Sequence, residues 1–323
     1  MQSAPSATLV VLGTGGTIAG TAASPDDHLG YRSGAVPVAD LLHGIRAPDG
    51  LSLESEQVAQ IDSKDMDFAI WRRLAVRIEQ HLARPEVQAV VVTHGTDTLE
   101  ETAYFLHRVL APGKPVVLTG AMRPATSSEA DGPRNLADAI EVATQSARAS
   151  RSGVVVAFAG SVFAAADVRK MHPARLEAFG SGDAGPVGRL EAGRLHHLRD
   201  WPKDEAIGMA ALPAADADWP FVVIVASGAG ADARPVRALT AAGCAGIVVA
   251  GTGNGTLHRD LEAALRQAVA DGVAVLRSTR CLEGSIVESE DCAREGLPSA
   301  GALTPAQARV ELIVRLLAAR RPT

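Results

Sequence analysis

The stretch TLVVLGTGGTIAG, residues 8–20, is the part of this 323-residue chain that most directly indicates its fold. An apolar run without a polar break predicts a strand buried on both faces, and the glycines after it predict a tight turn. Similar runs occur in AVVVTHGTD, PVVLTGAMR and GVVVAFAG, each followed by glycine or a small polar residue. Strands of this kind are typical of a parallel sheet that is covered on both sides.

Helical periodicity appears between and after these strands. In one stretch Leu99, Ala103, Leu106 and Leu110 share a helix face. The alternation of buried strands and amphipathic helices predicts an α/β fold. The last helix follows Thr304, a residue type that caps helix N-termini. The predicted helices are Phe68–Leu82, Leu99–Leu110, Pro235–Ala242, Leu257–Asp271 and Pro305–Ala319.

The alternation of predicted strands and helices stops at residues 197–220, where three prolines lie among acidic residues and alanines. Such a segment reads as a connection between domains. We therefore predict a larger N-terminal α/β domain, residues 1–196, a linker, residues 197–220, and a smaller C-terminal α/β domain, residues 221–323. The chain length agrees with two domains at ~150 residues each.

Composition and charge exclude some classes of binding partner and indicate the cellular compartment. A net charge of −6 and a pI near 5.9 argue against nucleic acid or an anionic membrane as a partner. No apolar run reaches the ~18 residues of a membrane span. The N-terminus reads as a first strand rather than a signal peptide, and three widely spaced cysteines predict neither a disulfide framework nor a metal site. We expect a cytoplasmic protein.

The carboxyl ends of the predicted strands are where a ligand should bind, because parallel sheets bind ligands at that edge. These ends are rich in glycine and hydroxyl groups. A threonine hydroxyl there becomes a nucleophile only beside a base or a positive charge. Where the turns open into helices, the backbone amides around Gly16, Thr96 and Ala121 could form an oxyanion hole. The three segments are Gly13–Thr17, His94–Thr98 and Gly120–Arg123.

Other glycine-rich motifs fit poorly. Ile18 occupies the third glycine position of GxGxxG, which makes a dinucleotide-dependent enzyme a distant alternative, and no Walker lysine follows. Neither a GxSxG elbow nor an HExxH pair occurs. Taken alone, the glycines fit a tight strand-to-helix turn equally well.

Several motifs in a fixed order resemble the bacterial-type L-asparaginase family of threonine amidohydrolases. The similarity spans nearly the whole chain and is weakest in the middle and in the last segment. The motifs are TGGTIAG at 14–20, HGTDTLEETAYFL at 94–106, GAMRP at 120–124, ADGPRNL at 130–136, DVRK at 167–170, GTGNGTL at 251–257 and RSTR at 277–280.

The resemblance implies a two-domain α/β subunit that assembles into a homotetramer, a dimer of dimers. Each active site would lie mainly in the N-terminal domain and be completed across the dimer interface. The implied reaction is hydrolysis of L-asparagine to L-aspartate and ammonia, without a metal or an organic cofactor.

The same resemblance assigns catalytic roles. Thr17 would be the acyl-accepting nucleophile, and Tyr31, on a mobile loop, would assist it. Thr96, Asp97 and Lys170 would form a second catalytic group, in which Lys170 eases deprotonation of Thr96. A desolvated lysine can act as a base because burial lowers its pKa. The alternatives are a packing aromatic for Tyr31 and a surface cation for Lys170, next to Arg169.

Substrate binding would involve residues from several loops. Asp97 would also engage the α-ammonium, and Ser63 the α-carboxylate. The turn at Gly16 and the backbone of Ala121 would lie near the side-chain amide.

Four features depart from the family pattern, and one of them is the segment MHPARLEAF after Lys170, which lacks the threonine-rich stretch of many secreted members. Lys64 stands where secreted members commonly carry Gln or Glu, so it either points outward or binds the α-carboxylate. Thr256 replaces an Asn or Ser that contacts the neighbouring site in some members. The acidic residue that a partner subunit donates would be Glu288 or Glu290, with a solvated acidic loop as the alternative.

Two other functions stay open on the sequence. Lys64 motivates a related amidohydrolase that prefers glutamine or a D-amino acid amide. A non-hydrolytic amino-acid-binding protein is the other alternative, because fold does not determine function.

Overall fold

The computed structural model describes residues 7–27, 30–201, 206–288 and 296–320. The chain divides into two compact units, Met1–Met209 and Ala210–Thr323. The finer prediction that residues 197–220 form a linker stays a prediction.

The described part of the first unit contains ten strands. They are β1 (Ala7–Gly15), β2 (Leu51–Ile61), β3 (Val87–Thr93), β4 (Pro115–Thr119), β5 (Gly153–Phe158), β6 (Ser161–Ala164), β7 (Arg169–Lys170), β8 (Phe179–Gly180), β9 (Gly188–Glu191) and β10 (Arg194–His197).

Eight of these strands form one sheet in the order β10-β9-β6-β5-β4-β3-β1-β2. The strands from β2 to β5 in this order are parallel, as predicted, whereas β6, β9 and β10 add antiparallel pairs at one end. The remaining strands, β7 and β8, form a separate antiparallel ribbon. Apolar runs indicate burial but not strand direction, so the antiparallel end was not predictable from them.

Helices cover both faces of this sheet. The helices are α1 (Val38–Leu41), α2 (Phe68–Leu82), α3 (Leu99–Val109) and α4 (Gly132–Arg148). One face buries Leu9, Val11 and Val91 against α1 and α4. Because side chains alternate along a strand, Val10 and Val90 point to the opposite face, where α2 and α3 pack. The predicted two-sided covering is therefore confirmed.

The second unit has a three-stranded parallel sheet, also covered on both faces. Its elements are β11 (Val222–Ala226), α5 (Arg234–Ala241), β12 (Gly246–Gly251), α6 (Arg259–Ala270), β13 (Ala274–Thr279) and α7 (Pro305–Ala319). On one face Ile247 and Val249 pack with Leu261 and Leu265 of α6. On the other face α7 contacts all three strands.

The bounds of the five predicted helices agree with the structure to within two residues, whereas α1 and α4 were not predicted. Helix α7 begins as predicted, with Thr304 in a capping box with Gln307. Helix α6 begins two residues later than predicted, because the His258 side chain accepts the Asp260 amide and so sets the helix start there. No helix in the described part of the chain is long and apolar enough to span a membrane.

Candidate active site

Two glycines bring the loop after β1 (the first loop) and the loop after β3 (the second loop) into contact. The strands are parallel neighbours with Gly13 opposite Thr93, so both loops start at the same level of the sheet. A Cβ placed on Gly16 would lie 2.3 Å from the Cα of Gly95, so the two backbones touch and neither residue can carry a side chain. Gly16 also has a φ of 83°, in the left-handed region that favours glycine. The residues that directly follow these glycines are Thr17 and Thr96.

Thr17 is buried, and its hydroxyl contacts a phenol. Its Oγ1 lies 2.6 Å from Oη of Tyr31. The backbones of Thr21 and Arg32 exchange hydrogen bonds of 2.8 and 2.9 Å, which close the chain back toward Thr17. A Cβ on Gly20 would lie 2.8 Å from Cδ2 of Tyr31, so glycine lets the ring lie against this turn. Tyr31 therefore packs as an aromatic and also contacts the Thr17 hydroxyl.

Lys170 brings its ammonium group to the second loop. Nζ donates to Oγ1 of Thr96 at 3.0 Å and to Oδ1 of Asp97 at 2.6 Å. The side chain of Lys170 is 18% exposed and that of Asp97 is 57% exposed. The alternative of a solvated surface cation is wrong, because the lysine is largely covered and paired. Its neighbour Arg169 is buried.

Ser63 accepts two hydrogen bonds from the second loop. Its buried Oγ accepts the Asp97 amide at 3.2 Å, and its carbonyl accepts the Thr98 hydroxyl at 2.8 Å. A Cβ on Gly95 would lie 2.5 Å from the Ser63 Oγ. Ser63 thus touches the loop that carries Thr96 and Asp97, and its own O–H is not used in these contacts.

The loop after β4 lies against Thr96. A Cβ on Gly120 would be 2.5 Å from the carbonyl oxygen of His94 and 3.3 Å from Cγ2 of Thr96. Ala121, the next residue, is fully buried. The third predicted segment therefore reaches the same place as the second.

The predicted oxyanion hole needs a correction at Gly16. Its amide already donates to the carbonyl of Ile61 at 2.8 Å, and this bond holds the β1 loop against the end of β2. That amide is therefore not free to stabilise an oxyanion. The amides of Thr96 and Ala121 stay candidates.

Two further residues, which the sequence did not single out, shape the loop of Ala121. The Asp131 carboxylate accepts the amides of Met122 and Arg123 at 2.9–3.1 Å. The Asn135 side chain donates to the Gly120 carbonyl at 3.0 Å and to Asp131 at 3.1 Å. Both lie in the ADGPRNL motif, whose Asp and Asn at helical spacing next to a glycine turn were the available signal.

His94 is a buried histidine at the start of the second loop. It is fully buried, Nδ1 lies 2.7 Å from the Gly95 carbonyl, and Nε2 has no hydrogen-bond partner among the described residues. Burial lowers the pKa of His94 to about 4, despite the opposing effect of the bond to Gly95. The ring is therefore neutral at pH 7.

Lys64 is held by carboxylates of its own turn. Nζ lies 2.8 Å from Asp65 Oδ2 and 3.4 Å from Asp62 Oδ2, and the side chain is 62% exposed. The hydrogen bond to Asp65 raises the pKa of Lys64, with further contributions from Asp62. These contacts agree with an outward orientation.

The other predicted residues belong to the second unit. The Thr256 Oγ1 contacts Oγ1 of Thr252 at 2.8 Å, within its own turn. Glu288 pairs with the buried Arg277 at 3.1 Å and accepts the Ser299 amide at 2.6 Å. It is therefore not a freely solvated acid. Glu290 lies outside the described residues.

These contacts define the class of protein. It is an α/β protein in which two threonine hydroxyls lie at adjacent strand ends, one beside a phenol and the other beside an ammonium and a carboxylate. Such a site suits covalent chemistry on a hydroxyl nucleophile. Among the described residues, no cluster of histidine, cysteine or acidic side chains could hold a metal ion.

The chain belongs to the asparaginase family. Residues 8–203 match the family model "Asparaginase, N-terminal" and residues 221–322 match "Glutaminase/Asparaginase C-terminal domain". The chain is 37% identical to L-asparaginase 2 of Escherichia coli strain K12, over 97% of this chain and 90% of that protein. It is 35% identical to L-asparaginase 2 of Bacillus subtilis strain 168, over 97% of this chain and 83% of that protein.

A solved structure agrees with this membership. The crystal structure of a probable cytoplasmic L-asparaginase from Campylobacter jejuni matches with a TM-score of 0.90 and 36% identity. The match covers 96% of this chain and 95% of that one.

Proposed function

We propose that this protein hydrolyses L-asparagine to L-aspartate and ammonia through an acyl-enzyme on Thr17. The observation that carries the proposal is the pair of hydroxyl environments at one sheet edge, with Thr17 on Tyr31 and Thr96 on Lys170. Family membership supplies the substrate class.

The proposed reaction has two steps. The Thr17 oxygen forms a bond to the side-chain amide carbon, the carbon–nitrogen bond breaks, and the hydroxyl proton leaves with the nitrogen as ammonia. Water then cleaves the ester, which yields aspartate and restores the Thr17 hydroxyl. Tyr31 relays the proton at Thr17, whereas Lys170 and Thr96 serve proton transfer at the second loop.

The substrate would be held by its charged groups. The exposed carboxylate of Asp97 suits the α-ammonium, and the O–H of Ser63 suits the α-carboxylate. The backbone of Ala121, next to Thr96, would receive the side-chain amide.

Ammonia release from asparagine tests the proposal. Wild type should be active, and Thr17→Ala and Thr96→Ala should each lose at least ~10³-fold in kcat, because removing a nucleophile or its proton relay removes the covalent route. Thr240→Ala, a change on α5 of the second unit, is the matched control and should keep wild-type activity. Full activity in either active-site variant would sink the threonine mechanism.

A substrate panel separates the second candidate, an amidase that prefers glutamine or a D-amino acid amide. Lys64 motivates that candidate, but Asp62 and Asp65 hold its ammonium, which favours asparagine. Equal ammonia release from asparagine, glutamine and D-asparagine would favour the broader activity. Binding of aspartate with no turnover of any amide would instead indicate a regulatory protein.

We further propose a cytoplasmic homotetramer, a dimer of dimers, in which Thr256 and either Glu288 or Glu290 complete a neighbouring subunit's site. The family resemblance supports the assembly. The free thiols of Cys244 and Cys281 fit a reducing compartment. Sedimentation equilibrium should give four times the 33.4 kDa chain mass, and a monomer with full activity would contradict shared sites.

A further inference from the structure

Lys170 is attached to the fold by a very short element. It is the second residue of the two-residue strand β7, which forms a two-stranded sheet with β8 in the described part of the chain, where Lys170 lies opposite Phe179. A two-stranded ribbon is a weak frame, because an isolated pair of strands is at best marginally stable. The position of the lysine therefore depends on contacts from outside the ribbon.

Glu100 supplies such a contact. Its Oε2 accepts the backbone amide of Lys170 at 2.5 Å, across 70 residues of sequence. Glu100 lies in the first turn of α3, two residues after the N-cap residue Thr98. A carboxylate is stabilised there by the helix dipole, so an ionised acceptor at this position is favoured. A charged acceptor also makes the stronger kind of hydrogen bond to an amide.

The hydrogen bonds of Lys170 form a closed ring with one segment of the chain. That segment, from Thr96 to Glu100, carries the Thr96 hydroxyl, the Asp97 carboxylate and the start of α3. Lys170 is bound to this segment at both ends, by its amide to Glu100 and by its ammonium to Thr96 and Asp97. Fixing the lysine backbone relative to the threonine leaves only the side-chain torsions free.

We infer that Glu100 is a positioning residue that fixes the Lys170 backbone and thereby holds its ammonium on Thr96. The kinetic test of this inference rests on the proposed function, because it measures asparagine hydrolysis. The structural test rests on geometry alone, because it measures the distance from Lys170 to Thr96. Glu100 acts through Lys170 and has no required contact with the substrate.

The decisive comparison is between two changes at this position. Glu100→Ala should lower kcat for asparagine by about 10²-fold and change KM by less than about threefold, because a displacement of ~1 Å in a catalytic group has an effect of that size. Glu100→Gln keeps an oxygen acceptor and should stay within about threefold of wild type. Glu262→Ala, which removes a first-turn acid of α6 in the second unit, is the control and should keep wild-type kcat.

A double-mutant cycle isolates the route through the lysine. In a Lys170→Met background, Glu100→Ala should lower kcat by less than about twofold further, since the group that it positions is gone. A general loss of structure would lower kcat in both backgrounds. An undiminished loss in the Lys170→Met background, or wild-type kcat in Glu100→Ala, would overturn the inference.

A crystal structure of Glu100→Ala gives a readout without activity. The distance from Lys170 Nζ to Thr96 Oγ1 should exceed 3.5 Å, against 3.0 Å in the wild type. An unchanged distance would refute the positioning role, whether or not the wild type hydrolyses an amide. Absence of amide hydrolysis by the wild type would refute the proposed function and leave the structural test of Glu100 in place. If the alanine variant does not fold, Glu100→Asp, whose carboxylate is one methylene shorter, takes its place in each comparison.

Discussion

The loops after β1 and β3 carry the same side chain, a threonine that directly follows a glycine, in two different settings. Thr17 contacts a neutral phenol only 14 residues away in sequence. Thr96 contacts an ammonium 74 residues away, which is also paired with Asp97. The first setting is assembled by a local turn, and the second by long-range contacts between α3 and the β7–β8 ribbon.

The difference shows how one functional group can serve two purposes. A hydroxyl in hydrogen-bond contact with a phenol has a neighbour that can relay its proton, which suits a nucleophile that must attack a carbonyl carbon. A hydroxyl beside a lysine and a carboxylate sits at a charged relay, which suits proton transfer. The contact between Gly16 and Gly95 places the two settings next to each other at the same sheet edge.

The largest expected effect comes from removing the charge at the second loop. Lys170→Met keeps most of the apolar stem and deletes the ammonium that contacts Thr96 and Asp97. We expect kcat for asparagine to fall by about 10³-fold, within the range for loss of a proton-transfer group.

Stopped-assay ammonia release over a range of pH measures this effect. Arg309→Met, a cation on α7 that donates to the Val222 carbonyl, is a control of the same kind in the second unit. A kcat near that of the wild type in Lys170→Met would mean that the two threonine settings do not differ in function.

The buried histidine should make the second loop sensitive to acid. Thr14, at the same level of the neighbouring strand end, donates its hydroxyl to the Thr93 carbonyl at 3.0 Å, whereas Nε2 of His94 has no partner in the part of the chain that the structure describes. The pKa of His94 is about 4 in the folded protein, against an unperturbed 6.5. Between these values the unfolded chain binds a proton that the folded protein does not, so unfolding is favoured as pH falls.

The expected loss is about 3 kcal/mol of unfolding free energy between pH 6.5 and pH 4, from ~1.4 kcal/mol for each pKa unit. Urea unfolding at several pH values measures it as the difference between wild type and His94→Gln, which cannot titrate. His43→Gln, at an exposed histidine, is the control and should follow the wild type. A parallel decline in wild type and His94→Gln would show that the ring is not the source.

Tyr31→Phe tests the first loop with a smaller change. It removes only the oxygen that lies 2.6 Å from Thr17 and keeps the ring that packs against Gly20. We expect kcat to fall by about 30-fold with little change in stability, because proton relay is lost while packing is kept. Tyr104→Phe, at the only other tyrosine in the sequence, is the control. Equal kcat in Tyr31→Phe and wild type would limit Tyr31 to packing.

Much of the first loop was predictable because its contacts are local. The apolar run before Gly13 indicated a buried strand, and the glycines indicated the turn that presents Thr17. The strands β1, β3 and β4 followed from the same kind of pattern, although their order in the sheet did not. Their loops then had to meet at one edge, since the carboxyl ends of parallel strands lie together.

The second loop was harder to predict because its partners are distant in sequence. Spacing alone favoured a surface cation for Lys170, and only the family resemblance pointed to its pairing with Thr96. No periodic pattern indicates that the Glu100 carboxylate accepts the Lys170 amide, or that the Gly16 amide donates to the Ile61 carbonyl. Such contacts depend on how loops from separate strands pack, and hydrophobic periodicity carries no information about that.

The smallest expected effect concerns Lys64, next to Ser63 below the second loop. If its ammonium faced the substrate's ammonium, repulsion would raise KM, and Lys64→Gln would lower KM strongly. The observed pairing with Asp65 and Asp62 on an exposed turn predicts a different result, because exposed ion pairs contribute little. We expect KM for asparagine to change by less than about threefold and kcat to stay constant.

Arg46→Gln, at another exposed cation paired with a nearby acid, is the matched control for this change. The pair Asp62→Asn and Asp65→Asn sharpens the test, because it removes the carboxylates and frees the ammonium to turn toward Ser63. KM should then rise in that double variant and return toward the wild-type value when Lys64→Gln is added. A drop in KM of tenfold or more from Lys64→Gln alone would instead place the ammonium in the substrate site and make Lys64 a determinant of amide selectivity.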